Sequence, residues 1–124
     1  MKTAKRILIV DDEPNIVMSL EYLMRSKGLD VGIARSGTEA LDQMELEAYD
    51  LVLLDITMPD LDGYHVCQTI KNHRVWKDTH VVFLSAKSKQ SDIEKGMSLG
   101  ATDYIVKPFS TKDLSRRILE ILNA

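Results

Sequence analysis

The sequence predicts an α/β fold in which helices cover both faces of a parallel sheet. Along the 124 residues, short apolar runs alternate five times with longer stretches of helical periodicity. Three of these runs, at residues 7–10, 51–54 and 81–84, are apolar at consecutive positions. Continuous apolarity is typical of a parallel strand that is buried on both faces. Five strand-then-helix units therefore predict a doubly wound sheet.

The first two units have recognisable ends. A strand over residues 6–11 leads to Pro14, which begins the first helix where its missing N–H costs no hydrogen bond. Gly28 ends that helix. A second strand over residues 30–34 leads to Ser36, which opens an S-x-x-E capping box before the second helix.

The remaining three units are less uniform. Asp62 is expected to provide the turn into the third helix, whereas Asp60 is expected to be an exposed charge. The fourth helix contains Gly96 and few apolar residues, so we expect it to be the least stable. Ser110 caps the last helix. The predicted strands lie over residues 50–55, 80–85 and 103–106, and the third and fourth helices over about 64–73 and 91–99.

Composition restricts the possible functions. The chain is 44% hydrophobic and 28% charged, which is ordinary for a globular protein of one domain. A net charge of −3 argues against nucleic-acid binding. The single cysteine, Cys67, excludes an intrachain disulfide framework, and no apolar run is long enough to cross a bilayer. Residues 1–6 lack the apolar stretch of a signal peptide. We therefore expect a cytoplasmic protein without nucleic-acid or membrane contact.

Polar side chains stand where the predicted strands end. Asp11 and Asp12 follow the first strand, Asp55 the third, Ser85 the fourth and Lys107 the fifth. The carboxyl ends of parallel strands meet at one edge of a sheet, where ligands bind. Carboxylates held close repel one another unless a cation lies among them, and oxygen ligands suit Mg²⁺ or Mn²⁺. These residues predict a site for phosphoryl transfer onto an aspartate.

Four separated motifs resemble those of the receiver domain of two-component response regulators. In chain order they read I-L-I-V-D-D-E, L-V-L-L-D-I-T-M-P-D-L-D-G, F-L-S-A and G-A-T-D-Y-I-V-K-P-F. The resemblance covers about residues 5–122. It implies a flavodoxin-like (βα)5 fold with strand order 2-1-3-4-5. We therefore expect a single receiver domain over residues 1–124.

The resemblance assigns roles to residues around the predicted acceptor. Asp55 would be the phosphoacceptor. Asp11, Asp12, Asp55 and the backbone carbonyl of Thr57 would bind Mg²⁺, with Mn²⁺ as a substitute. Thr57 and Lys87, each two residues beyond a site residue, would flank the path of an attacking water and thereby tune the lifetime of the phosphoryl group.

The resemblance also implies residues that contact the phosphoryl group and transmit the signal. Lys107 and Ser85 would contact the phosphoryl group. A cis peptide bond between Lys107 and Pro108 would aim the lysine inward. Tyr104 matches an aromatic switch position that moves between exposed and buried as Ser85 approaches the phosphoryl group.

The implied activity is signalling, in which the only catalysis is the domain's own phosphorylation and dephosphorylation. The phosphoryl group would come from a histidine kinase or a histidine phosphotransfer domain. Phosphorylation would change the face formed by the fourth helix, fifth strand and fifth helix. That face would control an output domain or effector protein, with the chain a monomer or a phosphorylation-dependent homodimer.

Two alternative functions stay open. A pseudo-receiver would bind partners without phosphorylation, although Asp11, Asp12, Asp55 and Lys107 are all present. A haloacid-dehalogenase-like phosphatase also uses a strand-end aspartate, but its D-x-D motif requires an acid where Thr57 stands. A nucleotide-binding Rossmann domain is disfavoured, since no G-x-G-x-x-G follows the first strand.

Overall fold

The computed structural model describes residues 4–123. Residues 1–3 and residue 124 lie outside the described residues. The first three belong to the N-terminal segment that lacks a signal-peptide pattern, and the last is the end of the predicted domain. Strands and helices alternate along the chain. The elements are β1 (Arg6–Val10), α1 (Pro14–Ser26), β2 (Asp30–Ala34), α2 (Gly37–Leu46), β3 (Leu51–Leu54), α3 (Gly63–Asn72), β4 (His80–Ser85), α4 (Gln90–Ser98), β5 (Asp103–Val106) and α5 (Thr111–Leu122).

The five strands of the described residues form one parallel sheet in the order β2-β1-β3-β4-β5, which confirms the predicted fold class. The chain moves from β1 to β2 at one edge and then crosses to β3 on the other side of β1. In such sheets a crevice opens beyond the carboxyl ends of the strands at which the order reverses. Here those strands are β1 and β3, which end at Val10 and Leu54.

The bounds predicted for the five strands and for the third and fourth helices lie within one residue of those observed. Asp11 and Asp55 fall just beyond β1 and β3 rather than within them. Their backbone N–H groups still bond across the sheet, from Asp11 to the Ala34 carbonyl at 3.1 Å and from Asp55 to the Val10 carbonyl at 2.9 Å. Both aspartates are therefore fixed at the backbone while their side chains lie at the end of the sheet.

Helix starts are capped largely as predicted. The Ser36 hydroxyl accepts a hydrogen bond from the Glu39 N–H at 3.1 Å, and the Ser110 hydroxyl accepts one from the Asp113 N–H at 3.2 Å. The capping box of α2 differs in one respect, because the Glu39 carboxylate accepts from Arg35 N–H at 3.2 Å instead of from Ser36 N–H. The reciprocal half of the box is thus displaced by one residue.

Alternate residues of the central strands supply two cores, one on each face of the sheet. Helices α1 and α5 cover one face with aliphatic side chains and methionine, and we call this cluster the aliphatic core. Its buried members are Ile7, Ile9, Leu20, Met24, Leu29, Leu51, Leu53, Val82, Leu84, Ile105, Leu114, Ile118 and Leu122.

Helices α2, α3 and α4 cover the opposite face, and we call the cluster beneath them the aromatic core. It contains Cys67, whose pKa is raised to about 11 by burial, so the thiol is a packing group at neutral pH. The buried members are Leu8, Val10, Ala34, Ala40, Met44, Tyr49, Val52, Leu54, Ile56, Tyr64, Val66, Cys67, Ile70, Trp76, Val81, Phe83, Ala101 and Tyr104.

Helix α4 is the most weakly buried of the helices. Gly96 is its only fully buried residue among those described, and Ile93 is half-buried. A Cβ at Gly96 would lie 3.0 Å from the Phe83 ring and 3.1 Å from the Tyr104 ring, so the glycine allows α4 to approach the sheet closely. The expectation that α4 is the least stable helix stays a prediction. Within residues 4–123, no helix is both long enough and apolar enough to cross a membrane.

Candidate functional site

Three carboxylates meet at the crevice between β1 and β3. Asp11, Asp12 and Asp55 each place a carboxylate oxygen within 4.8 Å of the others. Asp11 and Asp55 are buried, whereas Asp12 is exposed. The register explains their proximity, since Val10 and Leu54, the residues that precede Asp11 and Asp55, are paired neighbours on adjacent strands.

The Asp55 carboxylate is buried and lies close to another carboxylate, and both conditions disfavour its negative charge. The residue is only 6% exposed, and its carboxylate accepts a hydrogen bond from the Ile56 N–H at 2.8 Å. Burial raises the pKa of Asp55 above its ordinary value, and the nearby Asp11 carboxylate adds to this rise, while the Lys107 ammonium opposes it. Additional positive charge at this position would therefore stabilise the ionised form.

Lys107 supplies one positive charge to the carboxylates. Its ammonium donates to Asp11 at 2.8 Å and to Glu13 at 3.2 Å, and it lies 3.6 Å from an Asp55 oxygen. Burial alone would lower the pKa of Lys107, but the carboxylates of Asp11, Asp55 and Glu13 outweigh it and raise the pKa. The peptide bond from Lys107 to Pro108 is cis. Sequence reasoning assigned no role to Glu13.

A cleft of about 380 Å³ opens at the carboxylates. No histidine or cysteine is among the described residues that line it, and the carboxylate oxygens there suit a hard divalent cation such as Mg²⁺. The carboxylate cluster of Asp11, Asp12 and Asp55 therefore fits the metal that the sequence predicts. The lining residues are Asp12, Glu13, Asp55, Thr57, Ala86 and Lys107.

Ser85 and Tyr104 are not among the described residues that line the cleft. Ser85 is 1% exposed, and its hydroxyl accepts a hydrogen bond from the Lys87 N–H at 3.2 Å. The Tyr104 hydroxyl donates to the Lys87 carbonyl at 2.6 Å, and its ring contacts Phe83 with centroids 5.7 Å apart. Burial raises the pKa of Tyr104 to about 12. Both side chains thus hold the backbone of one residue, Lys87.

Thr57 and Lys87 occupy different positions relative to the cleft. Thr57 is exposed and lines it. Lys87 lines a neighbouring groove of about 360 Å³, which Thr57, Tyr64 and Lys95 also border. Of the two residues predicted to flank an attacking water, the structure brings only Thr57 into the wall of the cleft. Their effect on phosphoryl lifetime stays a prediction.

Two residues near the site were not predicted to make contacts. Asp60 is exposed as expected, yet its two carboxylate oxygens accept hydrogen bonds from the N–H groups of Gly37 and Thr38, each at 2.9 Å. The Tyr64 hydroxyl donates to the Asp92 carbonyl at 3.0 Å. The partners are 22 or more residues away in sequence, so local patterns carry no signal for either contact.

Comparison with known proteins identifies the family to which the chain belongs. The model of the response regulator receiver domain matches residues 7–119. The alkaline phosphatase synthesis transcriptional regulatory protein PhoP of Bacillus subtilis is 41% identical over 118 residues, which cover 95% of this chain and 48% of that protein. The chain spans about half the length of the curated relatives it matches.

Solved structures agree with this assignment. A CheY-like response regulator receiver domain protein from Methanospirillum hungatei is 31% identical with a TM-score of 0.90, over 98% of this chain and 95% of that one. The receiver domain of sensor histidine kinase PA1611 from Pseudomonas aeruginosa is 30% identical with a TM-score of 0.89, over 98% of this chain and all of that one. That second structure has a magnesium ion coordinated in its active-site cleft. The chain belongs to the family of response regulator receiver domains, the signalling domains of two-component systems.

Proposed function

We propose that this domain accepts a phosphoryl group on Asp55 from the phosphohistidine of a histidine kinase or of a histidine phosphotransfer domain. The observation that carries the proposal is the position of the Asp55 carboxylate. It is buried beside two further carboxylates, with the Lys107 ammonium 3.6 Å away. Such a group is accessible from the cleft and lies next to a cation that can balance an added phosphoryl charge.

The donor set supports a divalent cation as part of this function. Asp11, Asp12, Asp55 and the Thr57 carbonyl would hold Mg²⁺, and Mn²⁺ would substitute for it. When bound, the ion would supply positive charge that neutralises phosphoryl oxygens and the crowded carboxylates. The elevated pKa of Asp55 supports this assignment, since a bound cation would relieve the cost of ionising a buried carboxyl group.

The chemical step is an in-line transfer in which Asp55 is the nucleophile. A carboxylate oxygen of Asp55 forms a bond to phosphorus as the bond from phosphorus to the donor's imidazole nitrogen breaks. The electron pair of the broken bond stays on that nitrogen, and an imidazole protonated on its other nitrogen leaves as a neutral ring. Hydrolysis later adds water to phosphorus and returns the Asp55 carboxylate with inorganic phosphate.

Lys107, Ser85 and Tyr104 would respond to the new charge. The Lys107 ammonium would pair with a phosphoryl oxygen, and the Ser85 hydroxyl would donate to another after leaving its contact with Lys87 N–H. Tyr104 is already buried with its hydroxyl on the Lys87 carbonyl, so phosphorylation would stabilise this inward position and with it one arrangement of the face formed by α4, β5 and α5. Thr57 and Lys87 would set how long the phosphoryl group survives.

The expected setting is intracellular signalling. In this proposal residues 1–124 form one receiver domain in the cytoplasm, which catalyses only its own phosphorylation and dephosphorylation. The α4–β5–α5 face would control an attached output domain or an effector protein, with the receiver itself making no contact to nucleic acid or membrane. The name of the Bacillus relative, a transcriptional regulatory protein, supports gene regulation as one such output.

The test is an intact-mass spectrum after incubation with Mg²⁺ and acetyl phosphate. We expect the wild-type chain to gain one phosphoryl group, and we expect Asp55→Ala to gain none because the nucleophile is absent. Chelation of the metal should abolish the adduct as well. An adduct of equal yield in Asp55→Ala would show that another residue is modified and would overturn the assignment.

Beryllofluoride, a stable mimic of the phosphoryl group, separates a short-lived adduct from a pseudo-receiver. If no phosphoryl adduct is seen, Mg²⁺-dependent binding of beryllofluoride to the wild type but not to Asp55→Ala would uphold the proposal. Absence of both would favour a pseudo-receiver that acts without phosphorylation. Turnover of p-nitrophenyl phosphate would instead favour the phosphatase alternative.

A further inference from the structure

One side chain fastens the loop between β3 and α3 to the start of α2. The two Asp60 carboxylate oxygens accept from Gly37 N–H and Thr38 N–H, each at 2.9 Å. These are the first two amides of α2, which have no acceptor within their own helix. The carboxylate also meets the positive end of the helix dipole. Hydrogen bonds from the Thr38 side chain and from backbone amides hold the pKa of Asp60 far below its usual range.

Packing around these hydrogen bonds is tight. A Cβ at Gly37 would lie 2.6 Å from the Leu61 Cβ and 2.9 Å from the Leu61 carbonyl oxygen, so the start of α2 rests directly on the loop. At the base of the loop, Gly63 N–H donates to the Ile56 carbonyl at 2.8 Å. The loop is therefore fixed both at its base and at Asp60.

Thr57 lies between these two fixed points and borders the cleft. Asp60 itself is exposed and is not among the described residues that line the cleft, so it can act on the site only through the loop. Ser36 makes a useful contrast. Its hydroxyl also caps α2, but the hydrogen bond that it accepts comes from Glu39 N–H within the same helix.

We propose that Asp60 is a positioning residue. By joining the β3–α3 loop to α2, it holds Thr57 at the border of the cleft, where the Thr57 carbonyl would join the three carboxylates as a ligand, and thereby increases the affinity of the cleft for a divalent cation. This inference rests on the proposed function for the role of the cation in phosphoryl transfer. The binding of the cation can be measured without any such transfer. Loss of the Asp60 carboxylate would free the loop while leaving the three clustered carboxylates in place.

The experiment measures Mn²⁺ binding to the full chain from the electron paramagnetic resonance signal of free Mn²⁺, with Mg²⁺ as competitor. Asp60→Ala should weaken Mn²⁺ affinity by about tenfold, the scale found when residues that support metal ligands are removed. Asp60→Asn keeps an oxygen acceptor for one α2 amide, so its affinity should lie between those of the wild type and Asp60→Ala. Ser36→Ala should lower the melting temperature yet leave Mn²⁺ affinity close to that of the wild type.

A second measurement distinguishes positioning from loss of structure. At saturating metal, the rate of phosphoryl incorporation from acetyl phosphate should return to near the wild-type rate in Asp60→Ala, because only the occupancy of the cleft has changed. A deficit that persists at saturation would overturn the proposal. If Asp60→Ala does not fold, as judged by circular dichroism, the comparison of Asp60→Asn with Ser36→Ala decides the question.

The outcomes separate the two proposals. Equal Mn²⁺ affinities for Asp60→Ala, Ser36→Ala and the wild type would show that Asp60 only caps α2, and would leave the proposed function intact. A second outcome combines weaker Mn²⁺ binding by Asp60→Ala with a wild-type chain that forms no phosphoryl adduct and binds no beryllofluoride. That result would uphold the inference and defeat the proposed function. A wild type that binds no Mn²⁺ would defeat both.

Discussion

The two faces of the sheet are built from different side chains. The aliphatic core beneath α1 and α5 has no aromatic residue among its described buried members. The aromatic core beneath α2, α3 and α4 contains Tyr49, Tyr64, Trp76, Phe83 and Tyr104. Aliphatic side chains contribute only contact area, whereas tyrosine also carries a hydroxyl that needs a partner when it is buried. One face can therefore only pack, and the other can also fix neighbouring backbone.

The tyrosine hydroxyls show what this difference does. Tyr104 donates to the Lys87 carbonyl in the β4–α4 loop, and Tyr64 donates to the Asp92 carbonyl in the first turn of α4. Both contacts hold the segment that leads from the end of β4 into the most weakly buried helix. The aromatic face is thus the face whose hydroxyls fix the segment that leads into α4.

The largest effect is expected from a cavity in the aliphatic core. Leu20 is 1% exposed on α1, so Leu20→Ala should lower the free energy of unfolding by about 2–5 kcal/mol. Urea denaturation followed by circular dichroism measures this loss. Met18→Ala is a matched control on the same helix, since Met18 is 69% exposed and its removal should change stability by less than about 0.5 kcal/mol. Equal losses for the two variants would contradict the assignment of α1 to a packing face.

A smaller and more local effect is expected at the aromatic face. Tyr104→Phe keeps the ring against Phe83 but removes the donor to the Lys87 carbonyl, so it should cost about 0.5–1.5 kcal/mol. Amide hydrogen exchange should become faster in the β4–α4 loop while the amides of β1 and β3 keep their protection. Unchanged exchange in that loop would show that the hydroxyl does not hold it.

The sequence predicted the sheet and the cleft because the responsible signals are local. Apolar runs mark the buried strands, and the residue that follows each run marks the carboxyl end. Asp11, Asp55 and Lys107 could therefore be placed together from their positions in the chain alone. The structure brings these three within hydrogen-bonding or ion-pairing distance. Roles such as phosphoacceptor or metal ligand stay predictions for these residues.

The remaining features depend on contacts between distant segments or on the path of a loop. Continuous apolar runs show that both faces of a strand are buried, but they do not show which face will receive the aromatic residues. Asp60 was correctly expected to be exposed, yet its bonds to α2 require the β3–α3 loop to fold against a helix that begins 23 residues earlier. Ser85 follows β4 as predicted, but the position of its hydroxyl beside Lys87 N–H depends on the path of the following loop.

The smallest effect tests whether all tyrosines of the aromatic core are equivalent. Tyr49 lies near the opposite end of the sheet from the cleft, just before β3, and its hydroxyl is 3.2 Å from the side-chain oxygen of Gln43. That partner is half-buried, so water can replace the hydroxyl, and the cation–π contact of Arg6 with the ring persists in phenylalanine.

Tyr49→Phe should therefore change the free energy of unfolding by less than about 0.5 kcal/mol and leave exchange in the β4–α4 loop unaltered. Both are measured in the same urea and hydrogen-exchange experiments as for Tyr104→Phe. If Tyr49→Phe instead costs as much as Tyr104→Phe, the hydroxyls stabilise the aromatic core in general. The link between that face and the β4–α4 loop would then lose its specificity, because a hydroxyl far from the loop would matter as much as one that binds it.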